Sequence, residues 1–158
     1  MNRKTVSILT LIFLLILTSI LVVFMQSQTK INQAEEETIA LIEYDYPVDT
    51  INKFYWVTIG ETYFSMDFVD ETGQQRYAIV AQEGGDMQYF TPDEIISEEE
   101  ANAIGLNDTG ATDIIQTRLG LFNNEPVWEL TLRNENNTIT YYYIKATDGT
   151  WVQTISNI

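Results

Sequence analysis

The chain has 158 residues, with 23 acidic and 8 basic side chains, no histidine and no cysteine. Without imidazoles or thiols, Ser-His and Cys-His nucleophilic sites, the common zinc sites and disulfides are excluded. A formal charge of −15 at pH 7 repels nucleic acid and anionic lipid headgroups.

Residues 5–25 read TVSILTLIFLLILTSILVVFM, with no charge and no proline. At about 1.5 Å rise per residue such a helix spans roughly 30 Å, the thickness of a bilayer's hydrocarbon core. Its serines and threonines can bond back to main-chain carbonyls. A buried core helix would carry one polar face, and this stretch is apolar all round. A cleaved signal peptide needs a shorter apolar run and a small-residue cleavage site, and the exit Val23, Phe24, Met25, Gln26 offers none. An uncleaved signal-anchor is therefore expected. Arg3 and Lys4 precede it, which puts the N-terminus in the cytoplasm and the remainder outside the cell membrane. That remainder carries six basic against 23 acidic residues, a net of −17. A solvated, soluble surface explains such a charge, and attraction to a basic partner or to cations is the sharper alternative. A cysteine-free external domain suits a bacterium with one membrane and a thick wall.

Residues 26–32 are polar and read as juxtamembrane, with the tether at 26–30. A helix is expected over 31–44, from apolar positions three and four apart, with Glu35, Glu36 and Glu37 toward its N-terminal part and Pro47 stopping it. Strands are expected at 54–59 (FYWVTI), 62–69 (TYFSMDFV), 76–82 (RYAIVAQ) and 87–91 (MQYFT). Turns fall at Gly60, at 70–73 and at Gly84 with Gly85. Ser97 and Glu100 form a capping-box pattern, so a short helix is expected over 98–104, ended by Gly105. Strands follow at 114–122, 127–133 (VWELTLR), 138–145 (TITYYYIK) and 151–155, with a loop at 134–137 and a turn at Asp148 and Gly149.

The two halves repeat with an offset of 64 residues. Phe64, Met66 and Phe68 fall on Trp128, Leu130 and Leu132, and the loop at 70–73 falls on 134–137. Tyr77 falls on Tyr141, Gly85 on Gly149 and Glu36 on Glu100. Identities are few, but the turns coincide and the period-two phase is kept, which a one-residue slip would destroy. The expected fold class is α+β: a transmembrane helix followed by two tandem domains, each a helix on an antiparallel sheet. The expected boundaries are 1–29 for the cytoplasmic tip and anchor, 30–91 for the first domain and 92–158 for the second.

Nothing reactive stands out. No phosphate-cradling glycine loop is present, and the acids at 67, 70 and 71 lack EF-hand spacing. Paired carboxylates, as a glycosidase would need, have no recognisable catalytic context. The chain reads as a non-enzyme with no cofactor, no metal and no small-molecule substrate. The aromatic residues are the remaining signal, with triplets at 54–56 (FYW) and 141–143 (YYY). Neighbours along a strand face opposite ways, so Tyr142 separates from Tyr141 and Tyr143, and one aromatic of each triplet stays outside. Phe64 and Trp128 are expected in the two cores. Ordinary sheet packing accounts for most aromatics, and Tyr55, Tyr141, Tyr143 and Trp151 are the candidates for a partner-binding surface.

A short helix followed by an antiparallel meander, in tandem behind one anchor, resembles the PepSY-type domains. The second half carries the match in PVWEL at 126–130, TITYYYIK at 138–145 and ATDGTW at 146–151. More specifically, the chain is similar to the TseB-like regulators of cell-wall elongation in low-GC Gram-positive bacteria, and its first half resembles their companion cystatin-like domain. The resemblance implies two cystatin-like domains outside the membrane and a non-catalytic role. The implied partner is a class B penicillin-binding protein, a membrane transpeptidase that builds peptidoglycan of the lateral wall. Because PepSY-type domains also occur in peptidase propeptides, a modulator or inhibitor of extracellular peptidases is the alternative.

Overall fold

The computed structural model describes residues 3–83 and 86–156. Its elements in order are α1 (Arg3–Ile42), β1 (Val48–Ile59), β2 (Glu61–Asp70), β3 (Gln75–Ala81), β4 (Met87–Phe90), α2 (Glu98–Thr109), β5 (Asp113–Phe122), β6 (Glu125–Arg133), β7 (Ile139–Lys145) and β8 (Trp151–Ile155). The chain divides into two compact units, Met1–Glu37 and Thr38–Ile158. The turn expected at Gly84 and Gly85 lies outside the described residues.

In the first unit every described residue is helical. Its apolar stretch is long and apolar enough to cross a membrane, with none of that stretch buried in the protein. The polar interruptions are satisfied locally. Thr10 and Ser19 donate their hydroxyls to the carbonyls of Val6 and Leu15, four residues back, at 2.9 and 2.8 Å. The expected break at 26–30 and separate helix start at 31 are not found, because α1 runs on without interruption. No glycine or proline occurs between residues 5 and 42 to stop it. Thr29 back-bonds to Met25 and Gln33 donates to Glu37, at 2.9 and 2.8 Å, so the polar stretch supports itself as helix. The helix ends at Ile42, just before the turn that leads to Pro47.

The second unit holds two separate four-stranded antiparallel meanders, β1-β2-β3-β4 (sheet A) and β5-β6-β7-β8 (sheet B). The offset of 64 carries the start of β2, Glu61, onto the start of β6, Glu125, with their ends one residue out of step, and carries Gln75–Ala81 onto Ile139–Lys145. It also carries the left-handed turn residues onto one another. Gly60 (φ 75°) meets Asn124 (φ 64°), and Gly73 (φ 83°) meets Asn137 (φ 66°). Asparagine tolerates this region better than other residues with a Cβ, so glycine in one half and asparagine in the other solve the same turn.

The Ser97 capping box forms with both halves closed. Glu100 N–H donates to Ser97 Oγ at 3.2 Å, and Ser97 N–H donates to Glu100 Oε2 at 2.8 Å. The helix does not stop at Gly105. It continues to Thr109 and is capped by Gly110 at φ 66°. Gly105 is instead a packing residue, where a Cβ would run into Leu130 Cδ2 of the sheet beneath.

Ile39 and Ile42 of α1 cover one face of sheet A, over Met66, Phe68, Ala78 and Val80. Phe64 sits at the margin of this layer rather than inside it, stacked on Phe54 at 6.1 Å and edge-on to Trp56 at 5.2 Å. The helix α2 covers one face of sheet B, and Trp128 is fully buried there as expected. The other face of sheet A is buried too. Tyr55, Val57, Tyr63, Tyr77 and Ile79 pack in one cluster with Leu119, Leu121, Trp128 and Leu130 of sheet B. The edge strand β5 lies against them. At its closest approach, Gly120 leaves no room for a side chain, since a Cβ would stand 2.6 Å from Val57 Cγ1. An exposed edge strand is an aggregation template, and here sheet A covers it.

Candidate interaction surface

β7 alternates between half-buried and buried side chains, whereas β6 is buried on both of its faces. Leu130, Leu132, Tyr142 and Ile144 are buried in the core or against α2. On the outer face Glu129 stands opposite both Arg118 and Tyr143, and Thr131 stands opposite Tyr141. Tyr141 is in turn opposite Ile155, which is 41% exposed.

Arg118 and Glu129 form the centre of this face. Arg118 Nη1–H donates to Glu129 Oε1 at 2.9 Å, and the Tyr143 hydroxyl donates to Glu129 Oε2 at 2.9 Å. A further guanidinium N–H donates to Gln116 Oε1. The Glu129 side chain is almost fully enclosed, whereas the Arg118 side chain is partly exposed although its Nε–H is buried without a partner. Burial, and then the adjacent Glu129 charge, push the Tyr143 hydroxyl well above the ordinary phenol range. It therefore stays a neutral donor at physiological pH. The face combines aromatic rings, an arginine and fixed polar groups, which is the chemistry of recognition.

The four sequence candidates are placed in three different environments. Tyr141 and Tyr143 share the outer face of sheet B. Trp151 is 60% exposed but lines a trough with Tyr142 and Asp108, beside the last turn of α2. Tyr55 is only 4% exposed and lies inside the junction of the two sheets. Its ring meets Trp128 edge-on at 5.7 Å, and its hydroxyl donates to Glu98 Oε2 at 2.7 Å. Lys53 Nζ donates to the same carboxylate at 2.6 and 2.7 Å. Tyr55 is thus engaged mainly within the protein, with only a small edge lining an open hollow beside Lys53 and Glu98. Trp56 is the exposed member of its triplet, at 40%.

Sequence reasoning missed Arg118, Glu129 and Ile155. A usable signal was present for the first two. Asn123 and Asn124, both at positive φ, make a two-residue hairpin loop, and counting back and forward from it pairs Arg118 with Glu129.

No family model matches the chain, and no curated protein matches it. Among solved structures, the YpmB protein from Bacillus subtilis is similar, with a TM-score of 0.65 and 20% identity over 77% of this chain and 96% of that chain. At that identity the likeness is one of fold. The chain is α+β, with one long apolar helix and two four-stranded antiparallel sheets, an arrangement compatible with tandem cystatin-like domains.

Proposed function

We propose that this chain is a non-catalytic, single-pass membrane protein with its N-terminus in the cytoplasm and both sheets outside, and that it modulates cell-wall elongation by binding a class B penicillin-binding protein. The observation that carries the reading is the outer face of sheet B, where Tyr141 and Tyr143 accompany the Arg118–Glu129 pair on a strand system otherwise packed inward. Tyrosine and arginine are the residue types enriched at binding hot spots. The anchoring part rests on the apolar helix, and the orientation rests on Arg3 and Lys4 before it. The wall partner rests on the resemblance to TseB-like regulators. The non-catalytic part rests on the absence of histidine and cysteine and on the engagement of Glu129 by two donors.

The test is co-purification of the full-length tagged protein from crosslinked cells, wild type beside a Tyr141→Ala/Tyr143→Ala double variant. Enrichment of a class B transpeptidase that falls by about tenfold or more in the variant is the expected result. Absence of any transpeptidase, or enrichment indifferent to the substitutions, overturns the reading. Capture of an extracellular peptidase in its place supports the peptidase-modulator alternative.

A further inference from the structure

On the α2 side of sheet B lies an open trough of about 530 Å³, between the end of α2, β7 and β8. Its volume falls within the roughly 300–1,000 Å³ typical of small-molecule sites. Trp151 forms one wall. Its indole N–H donates to Thr154 Oγ1 at 2.8 Å, which fixes the ring while leaving it 60% exposed. Asp108 also lines the trough, where Oδ2 accepts from the Tyr142 hydroxyl at 2.7 Å and Oδ1 from Asn107 Nδ2 at 3.4 Å. Asn134 Nδ2 donates to Thr140 Oγ1 at 3.0 Å, adding a carboxamide and a second threonine hydroxyl to the lining.

Asp108 serves the fold as acceptor for the buried Tyr142 hydroxyl, but stability does not account for the exposure of Trp151. A large indole held in solvent gives up the burial that Trp128 obtains. Asp108 lies in the last turn of α2, which contains no base and where the helix dipole disfavours a carboxylate. What the two share is a ligand chemistry. A flat apolar ring accepts the C–H face of a pyranose. A carboxylate accepts two neighbouring sugar hydroxyls, and hydroxyl and carboxamide groups exchange further hydrogen bonds with the ring substituents. The strongly acidic chain repels anionic saccharides.

We infer that this trough binds an uncharged pyranose ring of a glycan, with Trp151 as the stacking platform and Asp108 as the acceptor for its hydroxyls. The site lies on the side of sheet B away from Tyr141 and Tyr143. It does not depend on the proposed transpeptidase partner, so each can fail alone.

The experiment uses the full chain in a zwitterionic, sugar-free detergent, titrated with tri-N-acetylchitotriose and followed by saturation-transfer NMR on the sugar. A saturable signal with a Kd of about 1 mM or tighter is expected. Trp151→Ala and Asp108→Asn should each weaken it by about tenfold, while Trp151→Phe, which keeps a ring, should stay within a few-fold of wild type. Far-UV circular dichroism identical to wild type shows that the variants fold. No saturation up to about 10 mM overturns the inference. So does binding that survives both Trp151→Ala and Asp108→Asn, or tighter binding of a sulfated oligosaccharide than of the neutral one.

Discussion

The hydroxyl of Ser65, at the centre of sheet A, donates to the main-chain carbonyl of Leu119 on the edge strand of sheet B, at 2.8 Å and out of contact with solvent. One small polar side chain thereby satisfies an outward carbonyl of an edge that has no strand partner on that side. Around it the two sheets share a core. The two strand ladders are separate, and side-chain hydrogen bonds such as this one and a shared core join them.

Ser65→Ala should leave the Leu119 carbonyl buried without a partner, at a cost of about 1–3 kcal/mol. Urea denaturation followed by tryptophan fluorescence measures it. A loss within a few tenths of a kcal/mol of zero would mean that the carbonyl finds another donor.

Gly120→Ala should destabilise by a comparable amount. Its Cβ would enter the volume of Val57 Cγ1, on a short β-branched side chain that cannot swing away. The same denaturation experiment applies, with a lowered midpoint expected and a single cooperative transition retained by the unit that contains both sheets.

Alkaline pH should weaken the fold. Burial pushes the Tyr77 and Tyr142 hydroxyls up to about 12. In the unfolded chain these groups ionise near 10, so between 10 and 12 the unfolded state binds fewer protons than the folded one. The contribution of these two groups is therefore full below 10 and is lost as pH rises from 10 to 12, and the still more strongly raised hydroxyls of Tyr55, Tyr89 and Tyr143 extend the fall beyond that range. Thermal melts across that range, beside tyrosinate absorbance, check the slope and the delayed ionisation.

Tyr55→Phe and Tyr141→Ala should separate structure from recognition. Tyr55→Phe removes a hydrogen bond to Glu98, which Lys53 still holds, so about 0.5–1.5 kcal/mol of stability is lost with partner capture unchanged. Tyr141→Ala should leave the denaturation midpoint nearly unmoved and reduce capture of the transpeptidase. The reverse pattern would place the recognition surface elsewhere.

Much of this was legible in the sequence. Among the described residues, period-two alternation and turn residues located all eight strands, although β1 begins at Val48 rather than at 54, and the Ser97 capping box placed the start of α2. Other features were not, among them the unbroken run of α1 through 26–31. Gly105 reads as a helix stop by propensity, but it is required for close packing on Leu130, a tertiary demand with no local signature. The second buried face of sheet A was hidden because its row on β2 reads Tyr63, Ser65, Asp67, a mixture indistinguishable from a solvent face until β5 is laid against it. For the same reason Tyr55 was expected at the surface. Tyr141 and Tyr143 were separable from Tyr142 by alternation alone, whereas their company with Arg118 and Glu129 required the register across three strands.

The most direct test of the central claim is photo-crosslinking in living cells from an unnatural amino acid at position 141, with position 55 as the buried control. A covalent adduct with a class B penicillin-binding protein is expected from position 141 and none from position 55. Equal adducts from both positions, or no transpeptidase adduct from position 141 while the protein is present in the membrane at wild-type levels, would contradict it.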